Sequence, residues 1–396
     1  IILNYFVPGG YMRDTVLVDG VFYVVGQGFL RLMQMLVVPL VFCSLICGSA
    51  AIGDTKTLGK VGVKTIVFYL FTTALAISIA LAVGTIVKPG LGLDTAAIQT
   101  QDVTVAESTT LTETLLNIIP TNPIGALANG TMLQVIVFAL FVGIILAKLG
   151  ERVEVVSNFF AQFNDIMMEM TNMVMMAAPI GVYCLIARTF SNIGFSGFIP
   201  MAKYMLCVLG ALAIHCLGSY SALMAIFTRL NPYRFIRKYF PVMSFAFSTA
   251  TSNATIPMAI ETLDEKIGVS KKISSFTIPL GATINMDGTA IMQGVAVCFA
   301  AQAFGITLTP TDYLTVIATA TLASIGTAGV PSVGLITLSM VFASVGLPVE
   351  AIAMIMGIDR ILDMARTMVN ITGDAMCTVI VANQDGALNR DVFNSK

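Results

Sequence analysis

YFPVMSFAFSTATSNATIPMAI, residues 239–260, contains no charged residue and is long enough to cross a bilayer, which takes about 20 residues of helix. Its centre, FSTATSNATIP (247–257), is nevertheless rich in Ser, Thr, Asn and Pro. The charges on either side decide how it lies. Lys and Arg of short loops mark the cytoplasmic side of a membrane protein. Basic linkers occur at Lys56/Lys60/Lys64, Lys148/Arg152, Arg229/Arg234/Arg237/Lys238 and Lys266/Lys271/Lys272, whereas Leu91–Thr110 carries Asp94, Asp102 and Glu107 and no Lys or Arg. Two crossings separate successive basic linkers as far as Arg229. A single crossing between Lys238 and Lys266 would put two basic linkers on opposite sides. The stretch must enter and leave on one side, as a re-entrant hairpin. A non-helical tip at membrane depth is tolerated only where protein buries it or it lines a wet cavity.

The rest of the chain fits that frame. It is 57% hydrophobic and 11% charged, against roughly 25% charged in soluble domains. Uncharged runs of spanning length include Leu32–Gly53, Thr65–Val87, Thr114–Ala147, Tyr204–Thr228, Gly288–Thr311 and Tyr313–Val349. Such runs exclude a β-barrel, whose strands alternate with period two in segments of about 10 residues. The fold class is therefore an all-α polytopic membrane protein. IILNYFVPGG (1–10) reads as the tail of a first membrane helix rather than a signal peptide. Helices are expected over Val21–Gly53, Thr65–Val87, Glu154–Arg188 and Ala202–Thr228, with Thr114–Ala147 broken at Pro120, Pro123 and Gly130. A net charge of −1 leaves no nucleic-acid footprint. The seven cysteines lie in apolar stretches without a CxxC pair and read as buried small hydrophobes. The single histidine, His215, reads as a packed, hydrogen-bonded core residue rather than a proton relay, and no catalytic residue or enzymatic cofactor is expected.

A second interrupted segment, ASIGTAGVPSVG (323–334), divides Tyr313–Val349. The C-terminal half thus holds two units, each a Ser/Thr/Gly-tipped hairpin followed by a helix with intramembrane charge. The first is followed by NMDGT (285–289) and the second by GIDRILDMARTMVNITGD (357–374). Paired broken segments in two halves point to a transporter's binding site.

At about 100° per residue, Asp359, Asp363, Arg366, Asn370 and Asp374 fall within an arc of about 80°. They spread over roughly 22 Å of helix axis. An intramembrane charge costs about 2.5–3.5 kcal/mol even on the lenient insertion scale. A plain ladder pairing Asp363 with Arg366 would leave surplus acids. The set suits a zwitterion with an extra acid group. Arg366 offers a fork for a carboxylate, Asp363 can accept from an ammonium, and Asn370 can do either. Backbone N–H groups of the hairpin tips can take a second carboxylate. Asp287 and Asp374 are then left as hard oxygen ligands for a small cation. Asp287 also suits an N-cap of the following helix. Asp359 and Arg360 read as support for the hairpin tips.

NMDGT (285–289), SIGTAGVP (324–331) and DxxxDxxRTMVNxTGD (359–374), in that order, resemble the excitatory amino acid transporter family, the dicarboxylate/amino acid:cation symporters. The likeness covers essentially the whole chain and is nearest to prokaryotic glutamate/aspartate symporters. It implies about eight transmembrane helices with two re-entrant hairpins and inverted repeats, in a homotrimer of a cytoplasmic (inner) membrane, working by an elevator motion. Residues 1–60 would form scaffold helices one (truncated) and two, and 61–90 transport-domain helix three. Residues 111–192 would form scaffold and trimerisation helices four and five. Residues 196–390 would complete the transport domain: helix six, hairpin one near 234–265, helix seven near 271–305, hairpin two near 311–345 and helix eight near 350–384.

By motif position the resemblance implies that Arg366 binds the side-chain carboxylate and Asp363 the amino group. Asn370, Ser252 and Val330 would hold the main-chain carboxylate, and Thr289 and Thr367 would line the pocket. One sodium would lie on Asp374 and the carbonyls of Gly281, Asn285 and Asn370. A second would use carbonyls of Thr283, Ser324, Ile325 and Thr327. A third would use Asp287, the Asn285 side chain, Tyr69, Thr72 and Thr73, and YLFTT (69–73) fits it. The first hairpin departs from the family in reading TSNAT (251–255) where many members carry serines, without the arginine some place before them; Arg360 stands in for it. The implied partners are an acidic amino acid, sodium and membrane lipid. A proton-coupled glutamate or dicarboxylate symporter is the nearest alternative. An ion channel needs no Asp363/Arg366 pair, and an intramembrane aspartyl protease needs GxGD where residues 371–374 read ITGD.

Overall fold

A computed structural model describes residues 10–53, 59–93, 116, 119–193, 198–324, 333–356 and 358–395. Among them the chain is helical, with one isolated β-bridge between Val269 and Leu388. In chain order, a π-helical entry (Met12–Phe22) leads into α1 (Tyr23–Gly53). Then come α2 (Gly59–Val87), α3 (Pro123–Asn129), α4 (Met132–Leu149), α5 (Glu154–Met176), α6 (Ala178–Ile193), α7 (Phe198–Ala213) and α8 (Tyr220–Thr228). The remainder are α9 (Pro232–Thr249), α10 (Ser252–Thr262), α11 (Lys271–Ile284), α12 (Asp287–Ala303), α13 (Pro310–Ser324), α14 (Val333–Ser344), α15 (Glu350–Met356), α16 (Asp359–Gln384) and α17 (Arg390–Asn394). Among the described residues, three stretches are long and apolar enough to cross a membrane: Val61–Val87, Ile199–Thr228 and Lys271–Ala303.

The run Thr114–Ala147 breaks where its sequence says it should. Asn122 caps α3 by accepting from Gly125 N–H at 3.0 Å, Pro123 opens the helix, and Gly130 closes it with φ +66°. The single helix expected over Glu154–Arg188 is instead two, α5 and α6, parted at Ala177. Pro179, just inside α6, has no N–H to continue the ladder of α5.

The stretch 239–260 is a helix–break–helix. Asn231 caps α9 through the Tyr233 N–H at 2.9 Å, with Pro232 at the first position. Ala250 ends α9 in the left-handed region (φ 52°, ψ 33°), and Thr251 is extended before α10 starts at Ser252. A left-handed alanine is a strained turn of the kind found at functional sites. The second interrupted segment shows α13 and α14 on either side; its tip, 325–332, lies outside the described residues.

Helices α4, α5 and α6 pack on α1, and α12 packs on α2, α7 and α16, with α9 and α11 also on α16. α12 and α16 are the buried centre of this second group: apart from Gln302, every residue of α12 is buried. At the chain's end α17 is tied to the base of the first hairpin. Lys238 Nζ donates to the carbonyls of Lys266 (2.9 Å) and Val392 (2.7 Å), and Arg234 donates to the carbonyl of Asn394 (2.8 Å).

Candidate functional site

The five polar residues of the stripe lie along α16 and all are buried: Asp359, Asp363, Arg366, Asn370 and Asp374. A helical face that is polar yet enclosed carries either a satisfied network or a ligand site. Both are present, at different heights.

At the upper end, Arg366 is 1% exposed and sits between two carboxylates. It reaches Asp363 at 2.7 Å and Asp359 at 2.9 Å. Asp359 serves Arg366, a pairing the i,i+7 spacing of the stripe allows. Thr367 turns its hydroxyl back to the Asp363 carbonyl at 2.9 Å. Gly334, at the start of α14, comes down on this end. A methyl there would stand 3.0 Å from Thr289 Cγ2 and 3.4 Å from Arg366 Cζ. The second hairpin thus approaches Arg366 and Thr289 by its backbone.

In the middle, NMDGT is an unwound break between α11 and α12. Asn285 is extended (φ −100°, ψ 94°), Met286 takes the N-cap position, and α12 begins at Asp287. The side chain of Asp287 does not cap the helix. The Gly288 N–H is taken instead by Asn370 Oδ1 at 2.7 Å, from across on α16. Gly288 is needed for this closeness, since a methyl would lie 2.6 Å from the Arg366 carbonyl oxygen. Asn370 so joins the two broken elements, and its amide nitrogen faces Met286 Sδ at 3.2 Å.

The lower end is made of oxygens. Asp374 Oδ1 accepts from Asn285 Nδ2 at 2.9 Å, while its Oδ2 is buried and accepts no hydrogen bond. A buried carboxylate oxygen without a donor is a standing cost that a small cation removes. Gly281 stands against it: a methyl there would be 2.5 Å from the carboxylate carbon and 2.7 Å from the Tyr69 hydroxyl. Asp287 Oδ1 accepts from Thr73 at 2.5 Å. Thr72 lies 3.5 Å from Asn285 Oδ1, and the Tyr69 carbonyl accepts from both threonines. Tyr69 sends its own hydroxyl to the Thr277 carbonyl at 3.0 Å. Carboxylate, amide, hydroxyl and carbonyl oxygens are the donors of a hard cation, and the residues fit sodium.

The structure thus brings together Tyr69, Thr72, Thr73, Gly281, Asn285, Asp287, Asn370 and Asp374, and above them Thr289, Asp363, Arg366 and Thr367. Ser252 is buried at the first turn of α10, and Ser324 is buried at the end of α13. Val330, Ile325 and Thr327, with the side chains of Thr283 and Arg360, lie outside what is described. Two residues of the site escape the sequence reading. Tyr220 donates to Asp287 Oδ2 at 2.6 Å, and His215 Nε2 lies 3.2 Å from the same oxygen.

The family profile described as "Sodium:dicarboxylate symporter family" matches residues 15–384. The chain belongs to that family. A "Proton/sodium-glutamate symport protein" of Bacillus caldotenax is 35% identical over 374 residues, 93% of this chain and 88% of the relative. A "Proton/glutamate-aspartate symporter" of Escherichia coli K12 is 36% identical over 375 residues, 92% of this chain and 85% of the relative. A "Neutral amino acid transporter B(0)" of Bos taurus is also 36% identical, over 386 residues, 88% of this chain and 71% of the relative. Membership of the symporter family agrees with a stripe that holds an arginine between two carboxylates above a cluster of buried oxygens.

Proposed function

We propose that this chain is a secondary active symporter that carries aspartate and glutamate into the cell across the cytoplasmic membrane, driven by a sodium gradient. The observation that carries the reading is the division of α16. Its upper end presents Arg366 with Asp363 beside it, complementary to a side-chain carboxylate and an ammonium. Its lower end holds Asp374, which together with Asp287 of α12 has no arginine or lysine among the partners found within the described residues. Substrate is bound by the first, and sodium supplies the missing positive charge at the second. The hydroxyl-rich ring around Asp287 and the bare Asp374 oxygen favour sodium over a proton, although relatives' names include both. The protein is not an enzyme in this reading; ions and substrate leave unchanged.

The family resemblance adds a homotrimer and an elevator motion of the group built on α2 and α7–α16. In this scheme the second hairpin closes over Arg366 from outside through Gly334.

The test is uptake of labelled aspartate by purified protein in liposomes. An inward sodium gradient should drive accumulation. Equal uptake in choline medium at uniform pH would overturn symport, and uptake driven by a pH gradient alone would replace sodium with protons.

A further inference from the structure

Between α7 and α8 the helix is wound wider, over Ile214–Ser219, and Tyr220 N–H donates to the carbonyl of His215. That is an i to i+5 bond, a π-helical turn. In a regular helix His215 and Tyr220 would face roughly 140° apart. Here the wider turn brings the two rings together edge to face, with centroids 4.4 Å apart. Both side chains then reach one atom, Asp287 Oδ2. Thr73, from α2, takes the other oxygen. His215, Tyr220, Thr73 and Asp287 are all fully or almost fully buried.

The donor pattern follows. His215 Nδ1 is buried with no partner. A bare lone pair there leaves the ring proton on Nε2, where it is bonded to the carboxylate, rather than stranding a donor. Asp287 Oδ2 thus receives two hydrogen bonds and its carboxylate cannot rotate. Gly373 makes room for this: a methyl there would collide with the Tyr220 hydroxyl and lie 3.0 Å from Asn285 Nδ2. Packing alone requires none of it, since phenylalanine would fill the space of Tyr220.

The geometry points to the π-helical turn as the device that aims Asp287 at its cation, with Tyr220 and His215 as positioning residues for sodium. The inference rests on the sodium-symporter reading. Two donors on Oδ2 leave Oδ1 turned toward Thr73 of α2, on the side where Thr72 meets the Asn285 amide oxygen. The turn's strained winding is kept because straightening it would swing one of the two donors away.

The experiment is binding of labelled aspartate to the purified full chain as sodium is raised. Tyr220→Phe and His215→Leu should each shift the sodium midpoint upward about tenfold, with binding recovering at higher sodium. His215→Gln, which restores an N–H donor, should move the midpoint back toward that of the unmodified protein. A midpoint unmoved by Tyr220→Phe and His215→Leu overturns the inference alone, as does a Gln variant no better than Leu. Aspartate binding by the unmodified protein that ignores sodium overturns the sodium reading, and the inference with it.

Discussion

Arg366 and Asp374, toward the two ends of the polar stripe on α16, lie roughly 12 Å apart along the helix axis, and the two ends handle buried charge in opposite ways. At the upper end two carboxylates share one guanidinium, each within 2.9 Å. At the lower end two carboxylates are surrounded by hydroxyls, an amide, a histidine and carbonyls, and one carboxylate oxygen accepts no hydrogen bond. In the proposed symporter the first end carries its own cation and exchanges partners, Arg366 leaving Asp359 for a substrate carboxylate, while the second imports its cation. Asn370 joins the two ends by capping α12 from α16, and in that scheme filling the lower end would set the backbone to which substrate binds.

The comparison is broken most severely at Arg366. Arg366→Cys leaves Asp359 and Asp363 without their counter-charge, and removing one partner of a buried pair costs about 3–5 kcal/mol. Acidic substrate affinity should fall by about two to four orders of magnitude, and neutral amino acids should compete better in uptake assays. Retained preference for aspartate would make Arg366 structural. Next is Asp374→Asn, which removes a charge from the lower end only. The sodium needed for half-maximal aspartate binding should rise on the order of a hundredfold, and an unmoved sodium midpoint would take Asp374 out of the cation site.

Gly334→Ala tests the approach of the second hairpin. Its methyl would press on Thr289 at 3.0 Å, and overpacking of this kind costs about 1–3 kcal/mol. Aspartate affinity should drop roughly tenfold with the sodium midpoint little changed. Smallest is Asp359→Asn, which removes a competitor for Arg366. Aspartate affinity should rise about threefold to tenfold; a fall would mean that Asp359 orients Arg366 rather than competing with substrate.

Much of this was legible in the sequence, for identifiable reasons. The stripe on α16 obeys a regular helical period, so angular arithmetic placed Asp359 through Asp374 on one enclosed face. The break at Ala250–Thr251 was legible because loop charges restrict how often a chain can cross. The role of Asp287 was legible only in part. Its helix does start there, but Asn370, distant in sequence, supplies the cap and frees the carboxylate. Tyr220 was invisible, because a π-helical turn violates the very period used to assign faces. His215 reads as a packed, hydrogen-bonded core residue from its apolar helix and is one; its partner, Asp287, lies 72 residues away and could not be read. Pro179 did signal the break between α5 and α6, and the long apolar run around it masked the signal.

The central claim is that the two ends are linked, and linkage is reciprocal. Aspartate affinity measured as a function of sodium concentration tests it most directly. The account predicts that affinity climbs steeply with sodium, with a log–log slope greater than about one because more than one cation is taken up per substrate. An affinity independent of sodium, at constant ionic strength and pH, would contradict it.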